Sequence, residues 1–357
     1  MIKTSNRQIE LDILRVVAVL MIMLYHYTFR GFAADNLSIL SFPSLSKVFK
    51  YGTLGVQLFV MISGYVMFIG EPHKSFKNFV ISRIARLYIT FWIAVTITTI
   101  VTLLIGGARF HVSLGQYLVN LTMLNEFVGV PSIDAAWWFM TLVLTFNFLV
   151  GILILIKLIK WQDYFAGIWL VLGSITYFYH VPIFSSLLLS NYVSFFVAGI
   201  IFQSAKTHGW NWYRYLVMLG SLTVSIHNAV SGARYSQNYF HQPFPVFIEA
   251  GLTCVLYVLF YLITIRKKPL NIPNIFILFG AATYPWYLLH QNIGYMVFNW
   301  LGQSWNKYLL LSITAIVIIS ISIVIAKYIE PYCYKKLKTT LETIASFIEK
   351  MMRKRFA

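Results

Sequence analysis

The chain has 357 residues, of which 59% are hydrophobic and only 11% charged, with a mean hydropathy of +0.73. Soluble domains carry about 25% charge, so this composition excludes an ordinary soluble enzyme. The formal net charge is +17, but the basic residues fall in short segments between apolar stretches, which excludes a nucleic-acid surface in favour of charge-biased membrane loops.

The apolar stretches are continuous and of roughly spanning length, not alternating as in a β-barrel. The predicted fold is all-α, a polytopic membrane protein with about ten transmembrane helices near 11–29, 53–70, 84–105, 136–157, 164–179, 185–204, 214–230, 246–265, 275–299 and 308–329. An even number puts both termini on one side. With that side cytoplasmic, Lys3, Arg7, Lys74, Lys77, Arg83, Arg86, Lys157, Lys160, Lys206, Arg214, Arg266, Lys267, Lys268 and the basic C-terminal residues all fall inside. The outer face keeps few cations, so the bias sets the orientation. Cys254 lies in an apolar run and Cys333 at a helix end, which suggests neither a disulfide framework nor a metal site.

The first segment carries Asp12 and Arg15 near one end and His26 near the other. An Arg and a His inside the apolar run, with further spans behind them, mark a retained helix and not a signal peptide. Eleven residues at about 100° each return to within roughly 20° of one helix face, about 16 Å further along the axis. Ionisable groups at membrane depth default to a functional reading. The bland alternative is an i,i+3 pair of Asp12 with Arg15 at the inner interface, with His26 at the outer headgroups.

In the second span, Gly55 to Tyr65 reads GVQLFVMISGY. Small residues let membrane helices approach closely, so Ser63-Gly64 reads as a packing notch and Ser63 stays outside the catalytic set. Arg83 and Arg86 stand one turn apart where the third span begins. With Arg15 they are expected to form a cytoplasmic mouth suited to phosphate, which Arg binds in bidentate fashion. Three outer connections are long, near 30–52, 106–135 and 231–245. In the ninth span, Tyr284 to Gln291 reads YPWYLLHQ and places His290 at a depth comparable to His26, which predicts a polar cavity open to the outside. The chain divides into a membrane domain, 1–332, and a basic amphipathic cytoplasmic tail, 333–357. Leu337, Leu341, Ile344, Ile348 and Met351 of that tail recur at helical spacing, as in a helix lying on an anionic leaflet.

These segments resemble the acyltransferase-3 family of integral membrane acyltransferases. The resemblance rests on Arg-x10-His at Arg15 and His26, on Gly55 to Tyr65, on Arg-x-x-Arg-Leu-Tyr at Arg83 to Tyr88, and on Tyr-Leu-x-His-Gln at Tyr287 to Gln291. The chain departs from members with an acidic motif after the Trp near the fourth span, since Trp137-Trp138-Phe139-Met140-Thr141 has no carboxylate. It is more similar to the compact branch without a C-terminal esterase-like domain.

The resemblance implies a multi-pass protein of the cell inner (plasma) membrane that uses acyl-CoA, usually acetyl-CoA, as co-substrate. It also implies a glycan or lipid-linked sugar acceptor. No metal and no nucleic acid is expected, and an oligomer is left open. Arg15, Arg83 and Arg86 would then hold the CoA phosphates, and the pantetheine arm would run toward His26 as general base. An acyl-histidine intermediate is the other chemistry open to it. His290 is assigned to acceptor binding, oxyanion stabilisation or the base role. The carboxylate that orients the imidazole is Asp134, Glu126 or Glu249. A transporter or flippase for a polar lipid or lipid-linked sugar is the competing class.

Overall fold

The computed structural model describes residues 8–34, 36–69, 75–179, 181–266, 273 and 275–355. Among these there is helix and turn and no strand. Lys3, Arg7, Lys74, Lys267 and Lys268 of the charge pattern lie outside the described residues.

In chain order the main helices are α1 (Ile9–Tyr25), α2 (Leu54–Met67), α3 (Phe76–Ile105), α4 (Trp138–Leu155), α5 (Gln162–Phe178) and α6 (Val193–His208). They continue with α7 (Trp212–Phe240), α8 (Val246–Ile265), α9 (Ile275–Leu289), α10 (Gln291–Leu301), α11 (Lys307–Val324) and α12 (Glu330–Arg355). Five helical runs among the described residues are long and apolar enough to cross a membrane: Phe76–Ile105, Ala135–Leu155, Trp212–Phe240, Val246–Ile265 and Lys307–Met352.

The chain forms two compact units, Met1–Pro72 with Leu158–Gly280, and His73–Lys157 with Ala281–Ala357. In the first unit every residue from Val193 to Ala205 is buried, so α6 is the central helix. A helix that is apolar all round must be surrounded, and α2, α5, α7 and α8 pack about it. Glycine makes the closest of these contacts. A Cβ on Gly64 would run into the Phe196 carbonyl of α6, and one on Gly199 into the Met61 carbonyl of α2. Gly52 and Gly55 bring the start of α2 equally close to the Met21 and Ala18 carbonyls of α1. The Gly55–Tyr65 motif is thus a packing device on two sides, and the Ser63 hydroxyl is spent on the Phe59 carbonyl of its own helix at 2.8 Å.

Polar side chains close the rest of the unit. Tyr257 of α8 shares hydrogen bonds of 2.8 Å with Ser221 and with Ser225 of α7, and these two serines reach the Ser194 carbonyl and hydroxyl of α6. Arg214 of α7 pairs with Asp163 of α5 at 2.8 Å. Buried polar side chains thus find their partners in one another.

Three expectations change. The connection expected at 231–245 is helix as far as Phe240, so α7 runs 29 residues. The third span begins at Phe76 and not near 84, which sets Arg83 and Arg86 inside a 30-residue helix. The stretch expected as one span over 185–204 divides into Pro182–Leu187 and α6, because the chain turns at Leu188–Tyr192. In the second unit α11 passes through a π-type turn, Ile325–Ile329, into α12, and Lys77 of α3 pairs with Glu349 at 3.0 Å.

Replacing Gly64 by Leu forces α2 and α6 apart and is expected to cost about 1–3 kcal/mol or more, as overpacking does. A lowered unfolding midpoint in detergent would report it. Ser63→Ala is expected to leave that midpoint nearly unchanged.

Candidate active site

The first helix carries the charged groups that the sequence singles out. Arg15 donates to the Asp12 carboxylate at 2.8 Å, with Asp12 fully buried and Arg15 partly exposed. The carboxylate lies against Gly280, where any Cβ would overlap it, so a glycine far along the chain makes room for the pair. Glu10 and Asp12 both lie in the first turn of α1, where the helix dipole favours acids.

Helix α1 is regular through Tyr25, so Arg15 and His26 keep the face relation expected of them. At His26 it widens into a π-type turn, His26–Arg30, a feature that often marks functional positions. The His26 ring is partly exposed and meets the Tyr25 ring edge-on, with centroids 5.2 Å apart.

Tyr25 itself lines a cavity of about 660 Å³ inside the first unit. The walls come from the C-terminal end of α1 and its π turn, the start of α2, the end of α5, the start of α6, the last turns of α7 and the start of α8. All of these lie at the end of the unit opposite Asp12 and Arg15. Tyr25, Gln57, Asn228, Tyr235, Glu249 and Thr253 represent its character, which is phenol, carboxamide, hydroxyl and carboxylate over aromatic faces. The Arg30 side chain donates to the Tyr25 hydroxyl, which stands in the field of Glu249. Of the three carboxylates weighed as the partner of a histidine, Glu249 belongs to the first unit, where it lines the same cavity as Tyr25, and Asp134 and Glu126 belong to the second. His26 is not among the cavity-lining residues.

In the second unit His290 is completely buried at the interruption between α9 and α10, and its Nδ1 lies 2.7 Å from the Tyr287 carbonyl. Side chains hold this interruption open. Trp137 Nε1 donates to the Leu288 carbonyl at 2.9 Å, and the Tyr287 hydroxyl donates to the Ala136 carbonyl at 2.6 Å. Asp134 accepts from the backbone N–H of Asn292 at 2.8 Å and of Ala136 at 2.9 Å. Asn292 Nδ2 donates to the Ile133 carbonyl at 2.8 Å. These contacts supply partners that a broken helix leaves wanting. Asp134 is therefore a helix-capping carboxylate that serves two segments, and sequence spacing did not reveal the second because Asn292 is 158 residues away in the chain. Glu126 lies in the same unit, accepting from Ser132 at 3.2 Å at the surface.

Arg83 and Arg86 stand one turn apart on α3, as expected. Arg86 is exposed. Arg83 lies over the Phe79 ring at 5.4 Å and lines an apolar groove of about 260 Å³ between α3 and α4, with Leu144, Phe148 and Ile152. Glu330, at the start of α12, was not singled out by any sequence motif, and its carboxylate lies in the field of Arg86. Among the described residues no group of three or more His, Cys, Asp or Glu could hold a metal ion.

A multi-pass helical chain with ionisable side chains at membrane depth defines a membrane-embedded enzyme or carrier, and comparison with known families decides between them. A family model described as an acyltransferase domain matches residues 8–329. The chain belongs to this family, acyltransferase family 3, and is a membrane acyltransferase. No curated protein and no solved structure matches it.

Burial raises the Asp134 carboxyl from its ordinary 3.8 to about 7, against the two backbone N–H groups that lower it. The folded protein therefore holds this proton more tightly than the unfolded chain does. Its stabilising contribution is complete below about pH 4 and is lost as pH rises through about 7. The unfolding midpoint is expected to fall across that window, and Asp134→Asn is expected to flatten the fall. An unaltered pH dependence in the variant would remove Asp134 as the titrating group.

Proposed function

We propose that the chain moves an acyl group, most simply acetyl, from cytoplasmic acyl-CoA to a hydroxyl of a cell-surface or lipid-linked glycan, with His26 as general base. The observation that carries this reading is one continuous helix, in a chain of the acyltransferase family, with an Asp12–Arg15 pair at one end and His26 at the other. The rise between Arg15 and His26, about 16 Å, suits a pantetheine arm held at its phosphate end.

In this reading the chain crosses the inner (plasma) membrane about ten times and both termini are cytoplasmic. Residues 1–332 form the catalytic domain. The tail from 333 lies on the inner leaflet, where Ile344, Phe347 and Met351 remain exposed for it. Arg15, Arg83 and Arg86 are assigned to the CoA phosphates, for which guanidinium groups are suited. His26 takes the proton of the acceptor hydroxyl as its oxygen attacks the thioester carbonyl. The C–S bond then breaks, and the imidazolium returns the proton to the departing CoA sulfur. His290, buried and held by the Tyr287 carbonyl, is assigned to support of the oxyanion. A carrier of polar lipids would also be helical and hold a cavity, but membership of an acyltransferase family favours group transfer.

Purified protein in detergent is expected to turn over acetyl-CoA, and His26→Ala to abolish that turnover while the protein stays folded. Undiminished turnover in the variant would refute the base. Arg15→Lys keeps the charge but loses the planar fork, so it is expected to raise the CoA concentration needed for thermal stabilisation by about tenfold. A parent protein that CoA does not stabilise would refute the donor.

A further inference from the structure

The 660 Å³ cavity of the first unit lies at the end of α1 opposite Arg15, and its lining points to an occupant other than CoA. Its volume falls within the roughly 300–1,000 Å³ of small-molecule sites. Arg30 and Glu249 both line it, so it offers no net charge to a nucleotide or a phosphate. Its phenols, carboxamides and hydroxyls are too polar for an acyl chain. Aromatic faces beside donors and acceptors are what a pyranose ring matches, with its C–H faces on the rings and its hydroxyls on the polar groups.

Three lining residues on three helices keep an oxygen without a hydrogen-bond partner among the described residues: Gln57 on α2, Asn228 on α7 and Thr253 on α8. Buried polar atoms ordinarily have partners, and three around one cavity mark a surface that a polyhydroxyl ligand completes. The last turns of α7 bring Ser231, Tyr235, Ser236 and Tyr239 to the same wall. Tyr235 and Tyr239 stack at 5.8 Å, one turn apart. Tyr25 lines the cavity and touches the His26 ring, so an occupant lies one side chain away from the proposed base.

We propose that this cavity is the acceptor site and seats an uncharged, hydroxyl-rich saccharide unit. The assignment rests on the acyl-transfer reading above. Gly232 allows a direct test, because it lines the cavity and a Cβ there meets no atom within 4 Å. A large side chain can therefore enter the cavity from α7 without displacing backbone. Gly251, equally open but on the exposed side of α8 away from the cavity, is the control position.

The experiment uses the full chain in membranes, radiolabelled acetyl-CoA, and the envelope glycan fraction of the source organism as acceptor. Label transferred to glycan and label released as acetate are counted separately. Gly232→Trp is expected to lower transfer at least about tenfold, and Gln57→Leu with Thr253→Val to raise the KM for glycan by about tenfold without moving the KM for acetyl-CoA. Gly251→Trp should behave as the parent. If Gly232→Trp and the paired variant transfer as well as a transferring parent, the cavity assignment is overturned and the acyl-transfer reading stands. A parent that neither transfers nor hydrolyses acetyl-CoA overturns both.

Discussion

Four glycines set how closely the helices of the first unit approach. Gly52 and Gly55 lay the start of α2 on the backbone of α1, and Gly64 and Gly199 lay α2 on α6. Lipid gives apolar side chains no reason to leave it, so membrane helices associate through close packing and hydrogen bonds. A single added carbon at these positions would separate the helices. The registers that hold Asp12 and Arg15 at one end of α1 and Tyr25 at the other depend on these contacts.

With that spacing fixed, the polar groups have only a few places to go. Asp12 is completely buried, and it is tolerable there because Arg15 pairs with it and Gly280 leaves it space. At the far end the π turn after Tyr25 and the long α7 leave a polar cavity between them. In the second unit the interruption at His290 is held by Asp134, Trp137 and Asn292, each supplying a partner to a backbone group or a neighbouring carbonyl. Both units thus pair ionisable or amide side chains with locally irregular helix, which is tolerated at membrane depth where protein or cavity surrounds it.

The functional reading follows from the separation of these features along one helix. Acyl transfer across a membrane needs a cationic end for the nucleotide and an imidazole where a hydroxyl arrives. Arg15 and His26 meet that description by spacing alone. In the proposed reading the cavity beside Tyr25 adds what spacing could not supply, a place for the group that receives the acyl chain.

The all-helical fold, most of the helix positions and the family were legible in the sequence, because continuous apolar runs, loop charges and the four motifs are local signals. The packing role of Gly64 was legible for the same reason. Other features depended on residues far apart in the chain. Glu249 came beside Tyr25 and Arg30 only through the fold, and Asp134, already capping its own short helix, met Asn292 only there. The last turns of α7 read as a loop because Ser231 to Phe240 is polar. They are helical in the fold, and several of their side chains line an interior cavity. Sequence determines which segments leave water and which carry ionisable groups, whereas tertiary packing decides which of those groups meet, because that depends on how closely the backbones approach.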